Sequence, residues 1–167
     1  MVLAPIVSFA QNDVITELFE QYYEDESFTK VSVSSKMFEL FTEIEPGDKD
    51  EEIILEAISK LEGLKILAAD SVPNSRQMFD GAVKKISSNG YEELMEVKDA
   101  EEDMKFLIMD SDGIISELVM VIGGRKKFVI LSLYGEIDLK SISKLSRSMS
   151  IGGLEHLEHI DSQSSNL

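Results

Sequence analysis

The chain has 167 residues, 43% of them hydrophobic and 29% charged, the usage of an ordinary globular domain long enough to bury one core without metals or disulfides. Its 32 Asp and Glu against 16 Lys and Arg leave a net charge of −16, a field that repels phosphate backbones and argues against nucleic-acid binding. Cysteine is absent, which excludes disulfides, thiolate metal sites, cysteine nucleophiles and thiol redox chemistry.

Met1 to Ala10 read MVLAPIVSFA, apolar apart from one serine, and Gln11-Asn12-Asp13 are abruptly polar. Ser8 and Ala10 bracket Phe9 in the small-x-small pattern that precedes a signal-peptidase cut. Residues 1–10 are therefore expected to be a signal-peptide remnant, with an N-terminal strand as the alternative. Residues 11–161 are expected to form a single α+β domain and residues 162–167 a polar tail. No apolar run reaches the ~18–20 residues of a membrane span. The expected location is periplasmic or secreted, without lipid attachment through cysteine.

Val14, Leu18 and Tyr22, with Ile15 and Phe19 beside them, form one apolar helical face up to about Tyr23. Phe28 to Val33 reads as a strand. Ser34 or Ser35 then caps a short helix expected to bury Met37, Leu40, Phe41 and Ile44. Glu45-Pro46-Gly47-Asp48 breaks the chain, and Asp48 with Glu51 three residues on resembles a capping arrangement for a helix carrying Ile54, Ala57, Ile58 and Leu61. Gly63 is placed to terminate that helix. Leu64 to Ala68 is a short strand, and a helix from about Pro73 to Ser87 turns Met78, Phe79, Ala82, Val83 and Ile86 inward until Asn89-Gly90.

From Tyr91 the period changes from helical to alternating. Strands are expected at Tyr91–Val97, Met104–Met109, Ile115–Ile122 and Lys127–Tyr134, joined by turns short enough to require antiparallel pairing. The last two are apolar on both faces, so both faces of the sheet should be covered, one by helices and the other by helices or a partner. Asp138 caps a helix with Leu139, Ile142, Leu145 and Met149 inward, and a last helix carries Leu154, Leu157 and Ile160. The expected fold is α+β, an antiparallel or mixed sheet with a C-terminal four-strand meander and helices packed on it.

The chemistry-bearing patterns are sparse. Ser141-x-x-Lys144 matches the serine–lysine pair of penicillin-binding proteins, but no Lys-Thr-Gly follows and the chain is too short for that fold. His156 and His159 are the two histidines; spaced three apart, they lack a dedicated third ligand and second shell, so no metal or other cofactor is expected. Asp110-x-Asp112-Gly113 falls short of a calcium loop and reads as a hairpin turn. The acidic run Asp99 to Asp103 reads as a solvated loop. The acidity as a whole serves solubility or, in a sharper reading, a basic partner or weak calcium binding. Lys140, Lys144 and Arg147 fall at i, i+4, i+7 on one side of the Asp138 helix, and Arg125, Lys126 and Lys127 cluster at a hairpin. Together they are the candidate binding island for an acidic partner or anion; the alternative is a solvated face paired with carboxylates. No catalytic residue is assigned.

The stretches Gly90-Tyr91-Glu92-Glu93-Leu94-Met95-Glu96-Val97-Lys98, Lys105-Phe106-Leu107-Ile108, Ile115-Ser116-Glu117-Leu118 and Gly135 to Leu145, with the leading Val7-Ser8-Phe9-Ala10-Gln11, resemble a family of exported Bacteroidetes proteins known as domain of unknown function 4252. The resemblance runs from about Asn12 to Asp161. It implies an envelope location and, from genes near those of extracytoplasmic-function sigma factors, a link to envelope signalling; it carries over no catalytic residue.

The function expected is therefore non-enzymatic binding of a protein partner in the cell envelope, with identity and oligomeric state open. The alternatives are a carboxylate-based hydrolase acting on envelope glycans and a carrier of a small apolar ligand. Converging carboxylates of perturbed pKa in a deep pocket mark the first, and an enclosed apolar cavity the second. A shallow exposed apolar patch marks an interaction protein.

Overall fold

A computed structural model describes residues 13–140; the expected signal remnant, the helices beyond Lys140 and the tail lie outside the described residues. Within them the order is α1 (Asp13–Gln21), β1 (Thr29–Ser34), α2 (Ser35–Phe41), α3 (Lys49–Ser59), β2 (Leu61–Ala69), α4 (Ser75–Ser87), β3 (Glu92–Lys98), β4 (Glu102–Ser111), β5 (Ile114–Gly124) and β6 (Phe128–Ile137). The strands form one sheet in the order β1-β2-β6-β5-β4-β3 with every pair antiparallel. This is the α+β architecture expected, with β3 to β6 as the meander.

Local chemistry places the ends of these elements. Asp48 is the N-cap of α3: its carboxylate accepts from the Glu51 N–H at 2.9 Å, and Glu51 reaches back to accept from the Gly47 N–H at 2.6 Å. Two otherwise orphaned donors are thus satisfied. Asp112 and Gly113 both have positive φ and sit between the paired residues Ser111 and Ile114, the two-residue loop whose twist matches that of a hairpin. Asp110 accepts from the Gly113 N–H at 2.9 Å, so this acidic tripeptide is a turn. Ser75, fully buried at the start of α4, donates to the Gly124 carbonyl and fastens that helix to the β5–β6 hairpin.

The sheet divides the core in two. Alternation along β5 sends Val119 and Val121 to one face and Leu118, Met120 and Ile122 to the other. The first face packs under α1 and α4, through Val14, Ile15 and Leu18 and through Phe79, Ala82 and Ile86. Tyr22 stacks on Phe28 at 4.7 Å between ring centroids, and Phe28 meets Phe128 edge-on at 6.4 Å. The second face takes Phe38 of α2 and Ile58 of α3. Both faces are therefore covered by helices, which is why β5 and β6 read as continuous apolar runs.

Expectations fail in α2 and at the end of α3, where Leu61, expected on the helix, opens β2. The apolar row of α2 does not point inward: Phe38 is the residue it buries, while Met37, Leu40, Phe41 and Ile44 are 49%, 49%, 40% and 55% exposed. Nor does Gly63 cap α3, which ends at Ser59 with Lys60 as its C-cap. Gly63 lies within β2, where a side chain would collide with the ring of Tyr134 on β6.

Candidate functional site

Of the basic residues that the sequence grouped, Arg125, Lys126, Lys127 and Lys140 lie among the described residues. Arg125 and Lys127 at the β5–β6 turn pair with Glu101 of the β3–β4 turn at 3.1 Å and Glu102 at the start of β4 at 3.3 Å. Lys140 is exposed just past the other end of β6, about 30 Å away at ~3.3 Å per strand residue. Lys144 and Arg147 lie outside the described residues, as do Ser141, His156 and His159.

The acids are mostly engaged in turns and pairs. Asp99 accepts from the N–H groups of Glu102 at 2.8 Å and Glu101 at 2.7 Å, and these bonds hold its carboxyl below the usual range. Asp103 pairs with Arg76 at 2.7 Å. Hydrogen bonds from Lys98 and then Lys105 depress Glu96, and the Ser27 hydroxyl and N–H depress Asp25. Asp25, Glu96 and Asp99 are each shifted toward staying ionised, opposite to the direction a general acid needs. Among the described residues no group of three His, Asp or Glu is placed to hold a metal ion.

One polar cluster was missed from sequence. Glu117 on β5, half-buried on the α1/α4 side of the sheet, accepts from the Tyr91 hydroxyl at 2.5 Å and the Ser132 hydroxyl at 2.6 Å. Beside it Tyr134 is pushed above its ordinary pKa, first by burial and then by the charges of Glu117 and Glu62. Lys65, opposite Ser132 in register, donates to the Thr16 hydroxyl at 3.5 Å. A signal existed: Glu117 shares the period-2 face of Val119 and Val121, so a charge there needs partners supplied by the sheet. Both carboxylate oxygens are taken by hydroxyl donors, which ties the residue just before β3 to β5 and β6.

The other feature is a surface. Met37, Leu40, Phe41 and Ile44 follow i, i+3, i+4, i+7, a single row along α2 and the turn that continues it through Thr42, Glu43 and Ile44. Five apolar residues within 37–44 make an arc wider than the contact Phe38 makes, so part of it stays in water. Residues 39–56, which carry the row and follow it, hold eight carboxylates and one lysine. Around the corner of α3, Ile53 and Ala57 face Ile114 and Ile137 across an open cleft of about 350 Å³, with Lys60 and Glu136 on its rim 3.3 Å apart. The hydrogen bond and charge of Glu136 hold Lys60 above the usual lysine range.

An antiparallel sheet clothed by helices on both faces, carrying an exposed apolar helix row and carboxylates held ionised, defines a small α+β domain. The family model described as Domain of unknown function (DUF4252) matches residues 22–145, and the chain belongs to that family. No curated protein and no solved structure matches it.

Proposed function

We propose that this is an exported, non-enzymatic interaction protein of the cell envelope, linked to envelope signalling, that docks a protein partner on α2. The observation that carries the reading is the exposed row of Met37, Leu40, Phe41 and Ile44. Contiguous apolar side chains with a polar rim mark partner surfaces, because water gains by leaving them. The depressed carboxyls of Asp25, Glu96 and Asp99 and the occupied oxygens of Glu117 support the non-enzymatic part. Export is supported by the apolar stretch Met1–Ala10 and the polarity break at Gln11. No helix among the described residues is long and apolar enough to cross a membrane.

The test is a photo-crosslinking residue placed at Leu40 in the native cell, with Lys84 on the exposed side of α4 as the control position. One identified protein joined at Leu40 and not at Lys84 is the expected result. Equal labelling at both positions, or none at Leu40, removes the docking face. Cytoplasmic recovery of the chain with Met1 intact removes the export.

A further inference from the structure

Resting on the reading of α2 as a docking face, we propose that its occupant is a basic amphipathic helix of another protein. The row spans two helical turns, about 10 Å at 1.5 Å per residue. A partner helix with its own apolar residues at i, i+3, i+4 and i+7 presents ridges of the same spacing. Met37 and Leu40 at the first turn are adaptable packing surfaces, the methionine above all, since its unbranched thioether side chain fits varied shapes. An extended peptide is the poorer match. Strand addition needs free backbone donors and acceptors, and a helix face offers none.

The charge selects the sign of the partner. Of the carboxylates in residues 39–56, Glu39 pairs with Lys36 at 2.8 Å, Glu56 lies 3.7 Å from Lys60, and Asp48 and Glu51 cap α3. Glu43, Glu45 and Glu52 have no cation partner among the described residues. Unpaired, exposed anions within the segment that carries the apolar row and just after it draw in cationic helices and turn anionic ones away. The same anions disfavour a second copy: a two-fold contact would set this acidic segment against itself, on chains each carrying −16.

The proposal is tested by titrating the full chain against a labelled helical peptide of about 18 residues (five turns), with leucines in the i, i+3, i+4, i+7 row and lysines elsewhere. Two controls accompany it, one with glutamates for the lysines and one with the leucines scrambled around the helix. Saturable one-to-one binding of the ordered lysine peptide, and neither control, is expected. Leu40→Gln with Ile44→Gln should weaken it roughly tenfold or more, as the loss of central apolar anchors does. Glu43→Gln with Glu45→Gln and Glu52→Gln should weaken it at low salt and flatten its salt dependence. These three carboxylates are exposed, so this variant folds and keeps the test decisive even if the first does not. Equal binding of the glutamate or scrambled peptide, indifference to either variant, or no saturable binding overturns the proposal. So does a homodimer in sedimentation that Leu40→Gln with Ile44→Gln dissolves. If the crosslink at Leu40 persists while the lysine peptide fails, the docking face stands and the basic helix falls; if both fail, both readings fall.

Discussion

Replacing Glu117 by alanine removes the acceptor that two buried residues, Tyr91 and Ser132, share. Tyr91 is 4% exposed and Ser132 is 1% exposed, and they donate to the two oxygens of Glu117 at 2.5 and 2.6 Å. Hydrogen bonds to a charged group are worth ~1.5–3 kcal/mol each, and a buried donor left unmatched loses its solvation as well. Glu117 is itself half-exposed, so water recovers part of the loss, and the net cost of Glu117→Ala is about 2–4 kcal/mol. For a domain near this size ~2–4 °C per kcal/mol is expected, which lowers Tm by about 5–15 °C. Calorimetric or circular-dichroism melts of Glu117→Ala, of Tyr91→Phe with Ser132→Ala, and of the triple variant measure the coupling directly. In the background without the two hydroxyls, Glu117→Ala should cost under about 1 kcal/mol, because nothing remains to strand. A cost as large in that background as in the parent would refute the claim that Glu117 acts through these bonds. Ultraviolet titration supplies an independent readout. Because Glu117 is one of the charges raising Tyr134, its removal should bring that phenol back toward 10.0, and an unchanged titration would contradict the placement.

Glycine substitutions on α4 and on the strand it packs against should have opposite signs. Gly81→Ala on α4, where an added methyl meets nothing within 4 Å, should stabilise by about 0.5–1 kcal/mol. Gly123→Ala on β5, where the methyl meets Phe79 at its Cβ, should cost about 1–3 kcal/mol by overpacking; denaturant melts decide both. Stability should also fall in acid. Asp25, Glu96 and Asp99 are lowered from 3.8, 4.5 and 3.8, so their contributions are present above those values and are lost as pH falls through the lower folded ones. Melts across that range should show the decline and Asp99→Asn should remove part of it, whereas a flat profile would refute the assignment.

The order of elements from α1 to β6 could be read before any coordinates, because each rests on chemistry within a few residues. Asp48 and Glu51 cap a helix from three positions apart. Asp112-Gly113 supplies the positive φ of a tight turn, and the switch from helical to alternating period at Tyr91 announces a meander whose short turns permit antiparallel pairing alone. The same local reading could not place β2 beside β6, since that pairing joins Leu64 to Leu133 across most of the domain. It also misdirected α2. Periodicity shows that Met37, Leu40, Phe41 and Ile44 share a side, but which side faces the sheet depends on how α3 and β1 hold the helix, and there Phe38 takes the inward position. The Glu117 cluster was hidden for the same reason: its donors come from 26 residues before and 15 residues after it, and only the strand register brings them within bonding distance. Sequence fixes what neighbours along the chain can do to one another. Exposure, pairing and the sign of a surface are set by contacts between segments that the chain folds together from far apart, and the face proposed for docking is of that second kind.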